Sequence, residues 1–106
     1  MGFLDFLKGP DINRGVAEYR KTSGAVLMDV RTSPEYRQGH IPESINIPLQ
    51  TIDDVEFLIE NKEDPLYVYC QSGVRSRLAV DLLRQMGYLN AKNIGGIATY
   101  TGKIVA

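Results

Sequence analysis

Short apolar segments alternate with amphipathic segments along most of this chain. Four segments rich in β-branched and other apolar residues are predicted as strands, at residues 25–30, 45–47, 66–70 and 91–94. The first of them, AVLMDV, is apolar almost throughout and does not alternate with polar residues. Such continuity is typical of a strand that is buried on both faces of a parallel sheet.

Helix signals occupy the segments around and between these strands. Asp11, Ser33 and Thr51 are residue types that favour the N-cap position, and each precedes a segment with helical character. A fourth helix is predicted over about residues 76–86, where Gly87 ends it. The third helix is expected to bury one face, which consists of Ile52, Val55, Leu58 and Ile59.

The alternation of helices and strands predicts the fold class. It indicates an α/β fold with an open, mainly parallel sheet and helices on both faces. At 106 residues the chain is expected to form a single domain, which we assign to residues 11–106. Residues 1–10 are predicted to be a loosely ordered leader. In sheets of this class ligands bind beyond the carboxyl ends of the strands, and Cys70 lies at such an end.

Composition and charge exclude several classes of function. The chain has 12 basic and 13 acidic residues that are interspersed, so we expect no binding of nucleic acid and no polybasic membrane segment. The N-terminal apolar run is too short for a signal peptide or a membrane span, which predicts a cytoplasmic protein. With one cysteine and one histidine, we expect no internal disulfide, no metal site and no cofactor.

Cys70 is the candidate nucleophile. A lone cysteine is most often a small buried hydrophobic residue, but this one closes a predicted strand and precedes the polar turn QSGVR. Gly73 permits a tight curl whose backbone N–H groups point inward. Arg75 adds a fixed cation with a planar fork of donors. Amides, a helix N-terminus and a cation each lower the pKa of a cysteine, so the segment predicts a reactive thiolate.

The segment Cys-Gln-Ser-Gly-Val-Arg-Ser at residues 70–76 resembles the active-site loop of the rhodanese family of sulfurtransferases. Three further segments are similar to signatures of that family and follow in the same order. They are DVR with PEY and GHIP within residues 29–42, INIP at 45–48 and NIGG at 93–96. The resemblance covers nearly the whole chain, and it implies a sheet of about five strands.

The resemblance also implies a reaction and a set of site residues. The Cys70 thiolate would take the outer sulfur of a donor such as thiosulfate, carry it as a persulfide and pass it to an acceptor such as cyanide or a thiol. A protein is a further candidate acceptor. Asp29 and Arg31, which end a neighbouring strand, would support the loops. The implied substrate-binding residues are Gln71, Ser72, Gly73, Val74, Arg75 and Ser76.

Two other functions remain open at this level. Phosphatases and arsenate reductases of related folds hold phosphate in a similar loop, but that loop has one residue more between its cysteine and its arginine. A shorter loop forms a narrower cradle, which suits a sulfur atom better than a tetrahedral oxyanion. The second alternative is a sulfur carrier or binding module that acts with a partner protein. Its docking residues would be the apolar Phe3, Leu4 and Phe6 of the leader.

Overall fold

The computed structural model of the chain describes residues 9–106. Most of the predicted leader, residues 1–8, lies outside the described residues. The α-helices of the described part are α1 (Ile12–Lys21), α2 (Ser33–Gln38), α3 (Val55–Leu58) and α4 (Val74–Gln85). Its strands are β1 (Val26–Asp29), β2 (Ile45–Asn46), β3 (Leu66–Cys70) and β4 (Ala91–Gly96). Short 3₁₀ helices cover Leu49–Asp54 and Ile97–Thr99. No helix in residues 9–106 is long and apolar enough to cross a membrane.

The four strands form one parallel sheet with the order β2-β1-β3-β4. This confirms the predicted α/β class and the four strand positions, whereas the expected count of about five strands is wrong. Within residues 9–106 the segment after the second 3₁₀ helix makes a single antiparallel bridge, between His40 and Val105. The bridge does not extend into a strand beyond His40, because the next residue whose N–H would face the partner segment is Pro42, which has no N–H.

Helices cover both faces of the sheet, as the sequence predicts. On one face α3, α4 and the first 3₁₀ helix enclose a core that includes Met28, Val30, Ile47, Val55, Val68, Cys70, Ala79 and Leu83. On the other face α1 packs over a smaller core of Ile12, Val16, Leu27, Ile41, Tyr67, Tyr69 and Ile94. Consecutive residues of a strand point to opposite faces, so the apolar continuity of β1 and β3 reflects burial on both sides.

The start of α2 differs from the prediction by one residue. Thr32, and not Ser33, occupies the N-cap position. The hydroxyl of Thr32 accepts from the N–H of Glu35 at 3.4 Å, and the Glu35 carboxylate accepts from the N–H of Thr32 at 3.0 Å. This capping box needs its carboxylate three residues after the cap, so Glu35 selects Thr32.

The predicted third helix is shorter than expected and begins differently. Thr51 is not an N-cap but lies inside the 3₁₀ helix with φ −126° and ψ 36°, and α3 has only four residues. Ile52, Val55 and Ile59 are buried as predicted. Leu58 is 62% exposed, because the change from 3₁₀ to α winding alters the angular spacing on which one continuous apolar face depends.

The sheet order brings the ends of β1 and β3 together. The chain runs from β1 outward to β2 and then returns to β3 on the other side of β1. The strand order therefore changes direction between β1 and β3, and in α/β sheets such a switch point is where ligands bind. Asp29 pairs in register with Tyr69, which places Asp29 and Cys70 at the same edge of the sheet.

Candidate active site

Cys70 ends β3, and the loop that follows curls around its sulfur. Sγ accepts hydrogen bonds from the N–H of Gly73 at 3.0 Å and from the N–H of Ser76 at 3.3 Å. The hydroxyl of Ser76 lies 3.4 Å from the same sulfur. Gly73 closes the turn with a φ of +99°, in the region that favours glycine. The loop thus forms a cradle of donors around Sγ.

The amide of Ser76 is available because of where α4 begins. The helix starts at Val74, two residues before the predicted start, with Gly73 as its N-cap. Ser76 therefore lies in the first turn, where backbone N–H groups have no acceptor within the helix. The N–H of Ser76 donates to Cys70 Sγ instead. The sulfur at the end of β3 therefore serves as the acceptor that the first turn of α4 lacks.

Two opposing effects set the pKa of the Cys70 thiol. The residue is only 1% exposed, and burial raises the pKa of a thiol. Hydrogen bonds from the hydroxyl and amide of Ser76, and from the amides of Gly73 and Ser72, outweigh burial and hold the pKa below its ordinary value. The reactive thiolate is therefore more populated at neutral pH than in an ordinary cysteine.

The end of β4 makes room for the loop. A Cβ at Gly96 would lie 2.7 Å from two backbone carbon atoms of Ser72, and it would overlap the carbonyl oxygen of Gln71. That same carbonyl accepts from the N–H of Ala98 at 3.1 Å, which ties the loop to the segment after β4. Only a residue without a side chain allows this approach of two backbones.

We expect Gly96→Ala to lower the rate of the sulfur transfer that the sequence resemblance implies about a hundredfold, because a shift of about 1 Å in a reacting group has effects of that order. The added methyl group must displace the backbone of Ser72 and with it the amides that face Cys70. An assay of transfer from thiosulfate to cyanide, the reaction that the resemblance implies, measures this loss.

Gly24→Ala is the matched control for this substitution. Gly24 also has a positive φ, of +75°, but a Cβ there meets no atom within 4 Å. It should lower stability by about 1 kcal/mol and leave the transfer rate unchanged. A Gly96→Ala protein that keeps the rate of the Gly24→Ala protein would show that the contact with Ser72 does not position the loop.

Arg75 stands at the mouth of the loop with its guanidinium bound to a carboxylate. Its Nη1 donates to Glu35 Oε1 at 2.7 Å and its Nη2 to Oε2 at 3.0 Å. The hydrogen bond from Arg75 lowers the pKa of the Glu35 carboxyl to about 2 against the opposing effect of burial, and Thr32 adds to the lowering. Glu35 is therefore ionised at neutral pH, and its carboxylate carries the charge that pairs with Arg75.

Asp29 and Arg31 form a buried ion pair behind the loop. Asp29 is 0% and Arg31 5% exposed. Arg31 Nη2 lies 2.7 Å from Asp29 Oδ2, and Nε lies 3.1 Å from each carboxylate oxygen. The remaining donors of Arg31 reach Gly39 O at 2.7 Å and Gln71 Oε1 at 3.4 Å. The pair thus links the loop after α2 to the loop after Cys70.

A cavity of about 380 Å³ lies on the outer flank of the loop. Its lining includes Gln71, Ser72, Gly73, Val74, Arg77 and Asn93. Neither Cys70 nor Arg75 lines it.

Cys70 is a free cysteine. Within residues 9–106 no group of three or more His, Cys, Asp or Glu side chains is arranged to hold a metal ion.

A family model described as a rhodanese-like domain matches residues 15–103. The chain belongs to the rhodanese-like family. Among its relatives, thiosulfate sulfurtransferase PspE of Escherichia coli is 37% identical over 71 residues, which cover 66% of this chain and 68% of that protein. The adenylyltransferase and sulfurtransferase uba4 of Ogataea parapolymorpha is 40% identical over 79 residues, or 74% of this chain. That match spans only 20% of the length of uba4.

Solved structures of rhodaneses share the fold. A structure described as a rhodanese with anions from E. coli superimposes with a TM-score of 0.71 and 33% identity. The superposition covers 76% of this chain and 96% of the other.

Two residues of this rhodanese-like domain were not singled out by the sequence as members of the site. Glu35 was noted only within the PEY segment that follows the predicted cap Ser33, although its carboxylate accepts two hydrogen bonds from Arg75. Asn93 was noted only within the NIGG segment, although its side chain contacts both Ser76 and Gly73. A signal for Asn93 does exist, since it is a polar residue inside a short strand that ends beside the loop.

Proposed function

We propose that this rhodanese-like domain is a sulfurtransferase that carries sulfane sulfur as a persulfide on Cys70. The observation that carries the proposal is the cradle, in which Sγ of a buried cysteine accepts from the amides of Gly73 and Ser76. Donors that are already oriented stabilise the negative charge of the thiolate without reorganisation. The thiosulfate sulfurtransferase name of the E. coli relative supports the same activity.

The proposed reaction has two half-reactions and follows ping-pong kinetics. In the first, the Cys70 thiolate forms a bond to the outer sulfur of thiosulfate, the S–S bond of the donor breaks, and sulfite leaves with the electron pair. In the second, cyanide or a thiolate forms a bond to the outer sulfur of the persulfide. The Cys70–sulfur bond breaks, and Cys70 leaves as a thiolate. A persulfide donor would enter the first step in the same way, with a thiolate as its leaving group.

Arg75 is the proposed binding group for the anionic end of the donor. Its planar fork suits two oxygen atoms of a sulfonate as well as those of a carboxylate, and Glu35 occupies it now. A donor anion would therefore share the Arg75 guanidinium with the Glu35 carboxylate or displace that carboxylate from it. The E. coli rhodanese whose structure contains anions supports anion binding in this family.

The cysteine-dependent phosphatase remains the alternative small-molecule activity. The pairing of Arg75 with Glu35 does not separate the two activities, because a thiosulfate and a phosphate would both need the same guanidinium. The loop length does separate them, since the four residues between Cys70 and Arg75 leave a smaller ring of amides than a phosphatase loop. This observation favours sulfur transfer.

The proposal is tested by mass spectrometry of the intact protein after incubation with thiosulfate. We expect an increase of about 32 Da, one sulfur atom, on Cys70, and its removal when cyanide is added with release of thiocyanate. An aryl phosphate is assayed in parallel and should not be hydrolysed. Phosphate release without any sulfur adduct would replace the sulfurtransferase by a phosphatase.

The sulfur acceptor in the cell separates a complete enzyme from a carrier module. We propose a thiol as the physiological acceptor, either a small molecule or a cysteine of a partner protein. A persulfide that forms on Cys70 but is not removed by cyanide or by small thiols would favour the carrier, which hands its sulfur to a protein alone.

A further inference from the structure

The side chain of Asn93 on β4 makes three hydrogen bonds, two of which reach the Cys70 loop. Its Oδ1 accepts from the Ser76 hydroxyl at 2.7 Å and from the N–H of Gly95 at 3.0 Å. Its Nδ2 donates to the carbonyl oxygen of Gly73 at 3.3 Å. A bulge in β4 allows this, because Val68 pairs with Asn93 while the next residue of β3 pairs with Gly95.

The partners of Asn93 fix which way its amide points. A backbone N–H can only donate and a backbone carbonyl can only accept, so Oδ1 must face Gly95 and Nδ2 must face Gly73. The oxygen that Ser76 meets at 2.7 Å is therefore an acceptor alone. It follows that the Ser76 hydroxyl donates its proton to Asn93.

The Ser76 hydroxyl has one proton and three acceptors within reach, of which the carbonyl oxygen of Gly95 is the most distant at 3.5 Å. Cys70 Sγ is 3.4 Å from Ser76 Oγ, whereas Asn93 Oδ1 is 2.7 Å away. A neutral Cys70 thiol can donate its own proton to Ser76 Oγ and leave the bond to Asn93 intact. A thiolate has no proton to donate. The Ser76 hydroxyl can therefore donate to the thiolate only if its hydrogen bond to Asn93 breaks.

We propose that Asn93 is a positioning residue that competes with Cys70 for the proton of the Ser76 hydroxyl. Asn93 thereby favours the protonated form of Cys70 and leaves the thiolate to be held mainly by the backbone amides of the loop. The significance of this competition for sulfur transfer rests on the proposed function, but the competition itself can be measured on the thiol alone.

Charged groups near the loop act on the same sulfur and are left in place by the test. Those on the elements around the loop are Arg75 and Arg77 of α4, Glu35 of α2, Asp29 and Arg31 at the end of β1, and Lys92 of β4. Substitutions of Asn93 and Ser76 by uncharged residues remove none of these charges. Differences in alkylation rate among the variants therefore report which acceptor the Ser76 hydroxyl proton binds. They do not report a change in the charges around Cys70.

The test is the rate of Cys70 alkylation by iodoacetamide as a function of pH. We expect Asn93→Ala to react about fivefold faster than the wild type on the acidic side of the profile, the factor expected when one hydrogen bond to the thiolate is gained. Ser76→Ala should react more slowly there, but by less than about fivefold, because in the wild type Cys70 shares the hydroxyl proton with Asn93. The double variant Ser76→Ala with Asn93→Ala should react at the same rate as Ser76→Ala alone. Without the Ser76 hydroxyl, Asn93 has no proton for which it can compete with Cys70.

Asn93→Ser is the second variant, because it keeps a side-chain acceptor for the N–H of Gly95 but is too short to reach Ser76. It should shift the profile in the same direction as Asn93→Ala. The proposal is overturned if the acceleration persists without Ser76, if Asn93→Ala slows alkylation, or if neither variant at position 93 folds. Alkylation needs no sulfur donor, so a protein without persulfide chemistry would refute the proposed function and leave this result standing.

Discussion

Cys70→Ser is expected to lower the rate of sulfur transfer by at least about a thousandfold, since it removes the nucleophile and not merely a contact. The groups around Sγ are hydrogen-bond donors, the amides of Gly73 and Ser76 and the hydroxyl of Ser76. A thiol whose pKa is lowered by such donors ionises without a base, whereas a serine hydroxyl would need one. The single histidine, His40, is bound to the carbonyl oxygen of Tyr36 at 2.8 Å. Thiocyanate release and the sulfur adduct on the intact protein both measure the loss.

Leu89→Ser is the matched control for Cys70→Ser. Leu89 is 72% exposed and precedes β4, so it lies at the opposite edge of the sheet from Cys70. The Leu89→Ser protein should transfer sulfur at the rate of the wild type. The circular dichroism spectrum of Cys70→Ser should remain that of the folded domain, because a buried hydroxyl retains the amide donors. Transfer that persists in Cys70→Ser would show that another group carries the sulfur.

The elements that could be predicted from the sequence are those whose signal is local. Apolar continuity located β1 and β3, and Cys70 was correctly predicted as the last residue of β3. Local signals were less reliable where two neighbouring residues compete for one role. Thr32 and Ser33 are both good caps, and the choice depends on the reach of Glu35. The implied fifth strand is absent because Pro42, two residues after His40, has no N–H with which to continue the pairing.

The contacts that tune the site are not local, and this is why the sequence did not reveal them. Glu35 and Arg75 are 40 positions apart, and Asn93 lies 17 positions after Ser76. Glu35 has a complete role as a capping residue, which conceals its second role. Asn93 reaches the loop only because of a bulge, and a strand pattern of four residues cannot show whether a bulge is present. The contact of Asn93 with the loop therefore depends on the register of β4 against β3, which the sequence does not show.

The second large effect is expected for stability. Asp29→Ala should lower the free energy of unfolding by about 3–5 kcal/mol, the usual effect of removing one partner of a buried ion pair. Arg31 would remain 5% exposed with its charge uncompensated. It would also lose the carboxylate that orients its donors toward Gly39 and Gln71. Urea titration followed by circular dichroism measures the loss, provided that the m-value is unchanged.

Two further variants show that burial is the cause. Glu18→Ala breaks the pair of Glu18 with Lys92, which has a comparable distance of 2.9 Å but side chains that are about half exposed, at 48% and 52%. Its effect should stay within about 1 kcal/mol. The double variant Asp29→Leu with Arg31→Met removes both charges and should recover most of the stability lost in Asp29→Ala. If Asp29→Ala and Glu18→Ala were equally stable, the buried pair would have no greater role in the fold than a surface contact. A stable double variant with slow sulfur transfer would instead assign the pair to positioning the Cys70 loop.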